Sequence, residues 1–265
     1  MTEFMAARRL VIKVGTSNLT YESGHINIRR IELLCKTLAD LKNSGREIVF
    51  VTSGAISAGM GRLHMDKRPT DTPSKQAAAA VGQCELMALY DKLFLDYGHT
   101  VAQLLLIKED VDHPVRRTNM VNTLSRLLEL RVIPIINEND TVAVDEIVFG
   151  DNDTLSAVVA EIANADCLIL LSDIDGLYSA DPRRQEDAAR IELVTHITPE
   201  IEELAGGAGS ARGTGGMATK IHAAKICERA GINMAIINGN DPTILYALLD
   251  GEPVGTRFIW EKSYE

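Results

Sequence analysis

The chain has 265 residues, 46% of them hydrophobic and 24% charged, enough to bury a sizeable core in one large α/β domain or two small ones. Acidic residues outnumber basic ones by 37 to 27, and the resulting formal charge of −10 argues against nonspecific nucleic-acid binding, which neutralises phosphates with Lys and Arg. An anionic substrate stays admissible, because a local lysine cluster overrides the global sign.

The opening MTEFMAARRLVIKVG has no signal-peptide apolar region, and runs such as CLILL are far too short to span a bilayer. Cys35, Cys84, Cys167 and Cys227 form no CxxC pair, and Cys35 and Cys167 fall in apolar settings that suit buried reduced thiols. A soluble cytoplasmic protein with no membrane partner is expected.

In chain order, the first strand is LVIKVG (10–15), with Lys13 inside it. A lysine on an edge strand would snorkel to water, but apolar neighbours on both sides favour a central strand, where the ammonium needs an anion. IRRIELLCKTLADLKNSG then puts Ile31, Leu34, Leu38 and Leu41 on one helical stripe, with Gly45 as its stop. EIVFVTSG (47–54) is the second strand, and Ser53-Gly54-Ala55 after it suits either a capped turn or a close backbone approach to a ligand. TVAQLLL (100–106), a helix over NTLSRLLEL, and VIPIINE (132–138) follow. TVAVDEIVFG reads as a small hairpin, and DNDTLSAVVAEIANA as a helix with Leu155, Val158, Val159 and Ile162 on one face. CLILLSD (167–173), the Gly-rich AGGAGSARGTGG (205–216), a helix over about 217–230 and NMAIING (233–239) complete the pattern.

Most of these strands are apolar on both faces, as parallel strands covered by helices are. The alternation predicts a three-layer αβα sandwich around a mostly parallel open sheet, in one domain over 1–265.

Ligands of such sheets bind beyond the carboxyl ends of the strands. Those ends carry Gly15-Thr16-Ser17, Thr52-Ser53-Gly54-Ala55, Asn137-Glu138-Asn139-Asp140 and Ser172-Asp173. Residues 136–157 hold Glu138, Asp140, Asp145, Glu146, Asp151 and Asp153 without a single Lys or Arg. Asp151-Asn152-Asp153 opens a helix, and two aspartates exceed what one cap requires. The segment Thr214-Gly215-Gly216-Met217-Ala218-Thr219-Lys220 is neither Walker A nor GxGxxG, yet a Gly-rich loop opening a helix presents N–H groups to phosphate. A surface linker with a solvated lysine is the competing reading of it. The six histidines show no ligand spacing, and no metal site is read from the chain.

VIKVGTSNL, VTSGAISAG, IPIINENDTV, GDNDTLSA, LLSDIDGLYSADPR and GTGGMATK occur in the order and approximate spacing of the glutamate 5-kinases of the amino acid kinase family, and this resemblance covers nearly the whole chain. It implies the αβα fold and transfer of the ATP γ-phosphoryl group to the γ-carboxylate of L-glutamate, with Mg²⁺, as the first step of proline synthesis. Carried over by position, Lys13 and Lys220 resemble the lysines acting on the transferring phosphoryl group, and Asp153 the aspartate that holds them. Ser53 with Gly54, Asp140 and Asn152 resemble glutamate-binding positions, and Asn137 a further contact. Lys13, Ser172, Asp173 and Thr214 to Lys220 resemble ATP-binding positions, with Ser172 where threonine is common. Asp140 suits the substrate's ammonium group, and Asn137 and Asn152 are expected to donate to its α-carboxylate. The resemblance also implies binding of L-proline and a homo-oligomer, dimer or tetramer. It does not extend to the C-terminal RNA-binding-like domain of many bacterial members. An N-acetylglutamate kinase-like enzyme and a noncatalytic amino-acid sensor on the same fold are the alternatives.

Overall fold

The structure, a computed structural model, describes residues 3–143, 151–180, 185, 187–205 and 216–260. Its strands are β1 (Arg9–Val14), β2 (Glu47–Val51), β3 (Val101–Leu106), β4 (Ile133–Glu138), β5 (Cys167–Ser172), β6 (Leu177–Tyr178), β7 (Arg190–Ile191), β8 (Leu193–Val194), β9 (Asn233–Asn238) and β10 (Thr256–Phe258). Eight of them form one sheet in the order β3-β4-β2-β1-β5-β9-β10-β8, and β6 pairs with β7 apart from it. Every neighbouring pair in the large sheet is parallel except β9 with β10. The six strands expected from the sequence are the six contiguous ones, and the short β10 and β8 extend that edge.

The longer helices are α1 (Ile28–Asn43), α2 (Ala55–Arg62), α3 (Thr72–Asp96), α4 (Pro114–Glu129), α5 (Asn152–Ile162) and α6 (Met217–Ala230). The two-residue period of the strands divides them between two layers. Leu10, Ile12 and Val14 of β1 pack with Ile31, Leu34 and Leu38 of α1 and with Leu86 and Phe94 of α3. Val11 faces the other way, into a core with Leu124 of α4, Leu155 and Val159 of α5, and Ile221 and Ala224 of α6. Three layers follow, as the alternation of apolar strands and amphipathic helices requires.

This geometry decides where Lys13 points. It lies in register between Val51 of β2 and Leu170 of β5, so β1 is an interior strand. Two residues beyond Val11, it shares that residue's face and aims at the layer of α5 and α6.

The 25-residue α3 was not legible as an amphipathic helix, because its Ala-rich stretch 77–80 and Gly82 present no single large apolar stripe. It packs instead by close backbone approach. A Cβ on Gly82 would stand 1.8 Å from the Ala55 carbonyl oxygen, and one on Gly59 of α2 would stand 1.8 Å from that of Ala78. The expected hairpin over 141–150 falls largely on residues 144–150, outside the described residues, as does most of the Gly-rich loop, 206–215. Cys35, Cys167 and Cys227 are buried as reduced thiols, whereas Cys84 on α3 is exposed.

Gly82→Ala is therefore expected to force α2 and α3 apart, at about 1–3 kcal/mol of stability. Thermal denaturation checks this as a Tm lower by several degrees.

Candidate active site

Asp153 is the fixed point of the site. It is fully buried, and its two carboxylate oxygens take separate cations: Lys13 Nζ reaches Oδ1 at 2.6 Å and Lys220 Nζ reaches Oδ2 at 3.0 Å. The single hydroxyl proton of Thr219 has two acceptors within reach, Oδ2 at 2.9 Å and the Gly216 carbonyl oxygen at 2.7 Å. Burial alone would push the carboxyl toward its neutral form. The charges of Lys13 and Lys220 and their hydrogen bonds outweigh that, and Asp153 is held well below the ordinary carboxylate range.

The local sequence explains why this aspartate is available. Asp151 caps α5, accepting from Thr154 N at 2.8 Å and from Thr154 Oγ1 at 3.2 Å. With the cap supplied by Asp151, Asp153 in the first turn is left to the lysines. Asp151 is itself buried, and burial followed by the nearby Asp153 charge raises its pKa.

A second, uncharged network lies on the other side of the α5 terminus. Asn152 Nδ2 donates its two hydrogens among three acceptors, the Thr52 carbonyl oxygen at 2.8 Å, Asn137 Oδ1 at 2.8 Å and Ser53 Oγ at 3.0 Å, so one hydrogen is shared. Asn137 Nδ2 in turn donates to Gln83 Oε1 at 2.8 Å. The two amides expected to donate to a carboxylate thus have their N–H groups turned onto protein acceptors. Gly54, between Ser53 and α2, sits at φ 86°, a left-handed conformation that favours glycine.

The other expected residues are placed as follows. Asp140 is partly buried in a turn in which the amides of Val142 and Ala143 donate to the Asn139 carbonyl oxygen. Burial pushes its pKa up to about 6, against the pull of the Arg68 charge. Ser172 is buried at the end of β5, donating to the exposed Asp173 at 3.2 Å. Met217, Ala218 and Thr219 form the first turn of α6 and deliver Lys220 to Asp153, and Gly216 precedes them. Thr214 and Gly215 lie outside the described residues.

Sequence reading passed over Gln83 and also Tyr90, whose hydroxyl lies 2.7 Å from Thr52 Oγ1. Thr219 stood inside the expected nucleotide segment, but nothing marked it as a partner of Asp153. Gln83 and Tyr90 sit seven residues apart on α3, and that spacing would have shown them on one face had the helix been recognised.

Lys13, Asp153 and Lys220 converge from β1, α5 and α6, and Ser53, Asn137 and Asn152 from β2, β4 and α5. The consecutive residues Asn152 and Asp153 join the two groups. A family model described as the amino acid kinase family matches residues 8–238. The chain is 52% identical over 260 residues to a glutamate 5-kinase of Clostridium perfringens (strain 13 / Type A), covering 97% of each chain. It is 52% identical over 260 residues to a glutamate 5-kinase of Listeria innocua, covering 97% of this chain and 94% of that one. Among solved structures, carbamate kinase from Giardia lamblia bound to AMP-PNP superposes with a TM-score of 0.66 at 17% identity, over 97% of this chain and 100% of that one. The chain belongs to the amino acid kinase family, in its glutamate 5-kinase group.

Proposed function

We propose that the protein transfers the γ-phosphoryl group of ATP to the γ-carboxylate of L-glutamate, giving L-glutamyl 5-phosphate for proline biosynthesis. The observation that carries this reading is the pair of buried ammonium groups held by one carboxylate at the strand ends of the sheet. The nucleophile needs no base, because a glutamate side chain with a pKa of about 4.3 is already ionised at neutral pH. One of its oxygens bonds to the γ-phosphorus as the bond to the β,γ-bridging oxygen breaks, and ADP leaves with the electron pair. The protein has to bring two anions together and stabilise charge on the phosphoryl oxygens, the task of preorganised cations.

In this reading Lys13 and Lys220 meet the transferring group, and Asp153 sets their positions. Ser172, Asp173 and the segment Thr214 to Lys220 hold the nucleotide. Mg²⁺ enters as part of the nucleotide substrate, carried on its phosphates. Ser53, Gly54, Asn137, Asp140 and Asn152 receive glutamate, and ionised Asp140 pairs with its ammonium group. One catalytic domain, a cytoplasmic setting, homo-oligomerisation and feedback binding of L-proline belong to the same proposal.

ADP release measured with L-glutamate, N-acetyl-L-glutamate and L-aspartate tests the reading. Glutamate-dependent turnover is expected. A preference for the acetylated acid, or no turnover with any of the three, overturns it in favour of the related kinase or the sensor.

Lys220→Ala and Asp153→Asn are each expected to lower kcat by at least ~10². Asp153→Asn also leaves two buried ammonium groups without their shared anion, so its Tm falls, and saturating MgATP restores part of it. Near-normal kcat in both variants would remove the assigned roles.

The pH dependence follows from Asp140. With a pKa of about 6 in the folded protein, its ionised, amine-pairing form is lost as pH falls through that value. kcat/KM for glutamate should drop on that limb, and Asp140→Asn should abolish the limb while raising KM for glutamate about 10- to 100-fold. Stability runs the other way: a raised carboxylate pKa means that the fold disfavours the charge, so Asp140 costs stability as pH rises from the unfolded-state value toward about 6.

A further inference from the structure

Within the uncharged network, Asn152 Oδ1 and Gln83 Nε2 are buried without a hydrogen-bond partner among the described residues. Buried polar atoms are nearly always paired, and exceptions cluster where a ligand or a chemical task is involved. Gln83 is 8% exposed, and its other terminal atom, Oε1, accepts from Asn137 Nδ2 at 2.8 Å.

The direction of the two asparagines is set by backbone groups that cannot turn over. The Glu138 N–H donates to Asn137 Oδ1 at 2.9 Å, so Asn137 must point its Nδ2 at Gln83. The Thr52 carbonyl oxygen accepts from Asn152 Nδ2 at 2.8 Å, so Asn152 must keep its nitrogen toward β2 and β4. Reversing Asn152 would set its oxygen against the Thr52 carbonyl and Asn137 Oδ1, two acceptors. What Asn152 has left to offer is therefore an oxygen.

Gln83 belongs to a stripe on α3. Gln76, Gln83 and Tyr90 follow at intervals of seven residues, close to two turns, and so share one side of the helix. Gln76 Nε2 donates to the Ala143 carbonyl oxygen at 3.3 Å, in the turn that carries Asp140. Gln83 holds Asn137, and Tyr90 holds Thr52 at 2.7 Å. One helix thus contacts the segments that bear Ser53, Asn137 and Asp140, and Gly82 lets it approach α2 closely enough to do so.

We propose that Gln83 is a positioning residue that anchors Asn137, and through Asn137 Oδ1 holds Asn152 in place, so that Asn152 presents an acceptor to the ammonium group of the amino-acid substrate. The proposal rests on the glutamate-phosphorylating reading. It assigns to Gln83 the discrimination between an acid that carries an α-ammonium group and one that lacks it. Glutarate, which is glutamate without that group, is the probe.

The experiment measures Kd for L-glutamate and glutarate by calorimetry, with kcat and KM for ATP, in the wild type, Gln83→Met and Gln83→Glu. Gln83→Met fills the space but accepts nothing from Asn137, and its preference for glutamate over glutarate should fall about tenfold while KM for ATP stays within about threefold. Gln83→Glu still offers an oxygen to Asn137 and should keep the preference within about threefold of wild type. An unchanged preference in Gln83→Met, or equal loss in both variants, overturns the proposal. So does an equal weakening toward both acids and ATP, which marks a merely structural residue. If Gln83→Met does not fold, Gln83→Leu, which likewise accepts nothing from Asn137, is read against Gln83→Glu by the same criteria. Failure of the functional reading is seen separately, as absence of glutamate-dependent ADP release in the wild type.

Discussion

The structure turns on one carboxylate that keeps two ammonium groups together in a dry interior. Two unit charges of like sign about 4 Å apart repel by roughly 4 kcal/mol at an effective dielectric near 20. Neither Lys13 nor Lys220 can relieve this by turning to water, since they are 7% and 4% exposed. Asp153 answers with one oxygen for each. Deleting a partner from such a buried cluster costs far more than the intact cluster contributes, because uncompensated charge stays behind. The cluster is thus a constraint on position more than a source of stability: β1, α5 and α6 must dock for the charges to be tolerated, although Lys13 and Asp153 lie 140 residues apart in sequence and Asp153 and Lys220 lie 67 apart.

The terminus of α5 sets both halves of the site with two adjacent residues. Successive helical residues point about 100° apart, so Asn152 and Asp153 face different walls of the same cleft. Asn152 looks toward the ends of β2 and β4 and carries no charge. Asp153 looks toward β1 and α6 and is wholly occupied by cations. A helix anchored by the Asp151 cap can hold an acceptor substrate and a phosphoryl donor in fixed relation without any moving part, and such fixed relation is what a reaction lacking acid–base catalysis demands.

Much of this was legible in the sequence, and the reasons for the rest are physical. The six main strands and the charged trio stand out because apolar runs, an out-of-place lysine and a surplus aspartate break local rules without local compensation. α3 did not stand out, because it packs through glycine and alanine, whose small size allows backbone contact but leaves no hydrophobic period to detect. With α3 hidden, Gln83 and Tyr90 were hidden too. The polarity of Asn137 and Asn152 was beyond reach for a different reason. An asparagine is donor and acceptor at once, and which one a ligand meets is decided by partners on other elements. The expectation of two amides donating to a carboxylate reversed once the Glu138 amide and the Thr52 carbonyl were seen to fix their direction.

The excess of acid at the end of β4 then divides by burial. Asp153 is wholly neutralised within the protein, and Asp151 is spent largely on the helix cap. Asp140 is different: burial raises its pKa to about 6, and the nearest opposing influence is the exposed Arg68. A carboxylate kept partly desolvated, beside a network that holds no cation and leaves Asn152 Oδ1 unpaired among the described residues, makes a pocket short of positive charge. Across Asn152 and Asp153 lies the opposite condition, two ammonium groups with one carboxylate between them. In the proposed reading a zwitterion fits that gradient in one orientation, with its ammonium toward Asp140 and Asn152 and its side-chain carboxylate toward the lysines. On that proposal the sign of each half of the site selects the amino acid and aims the oxygen that attacks.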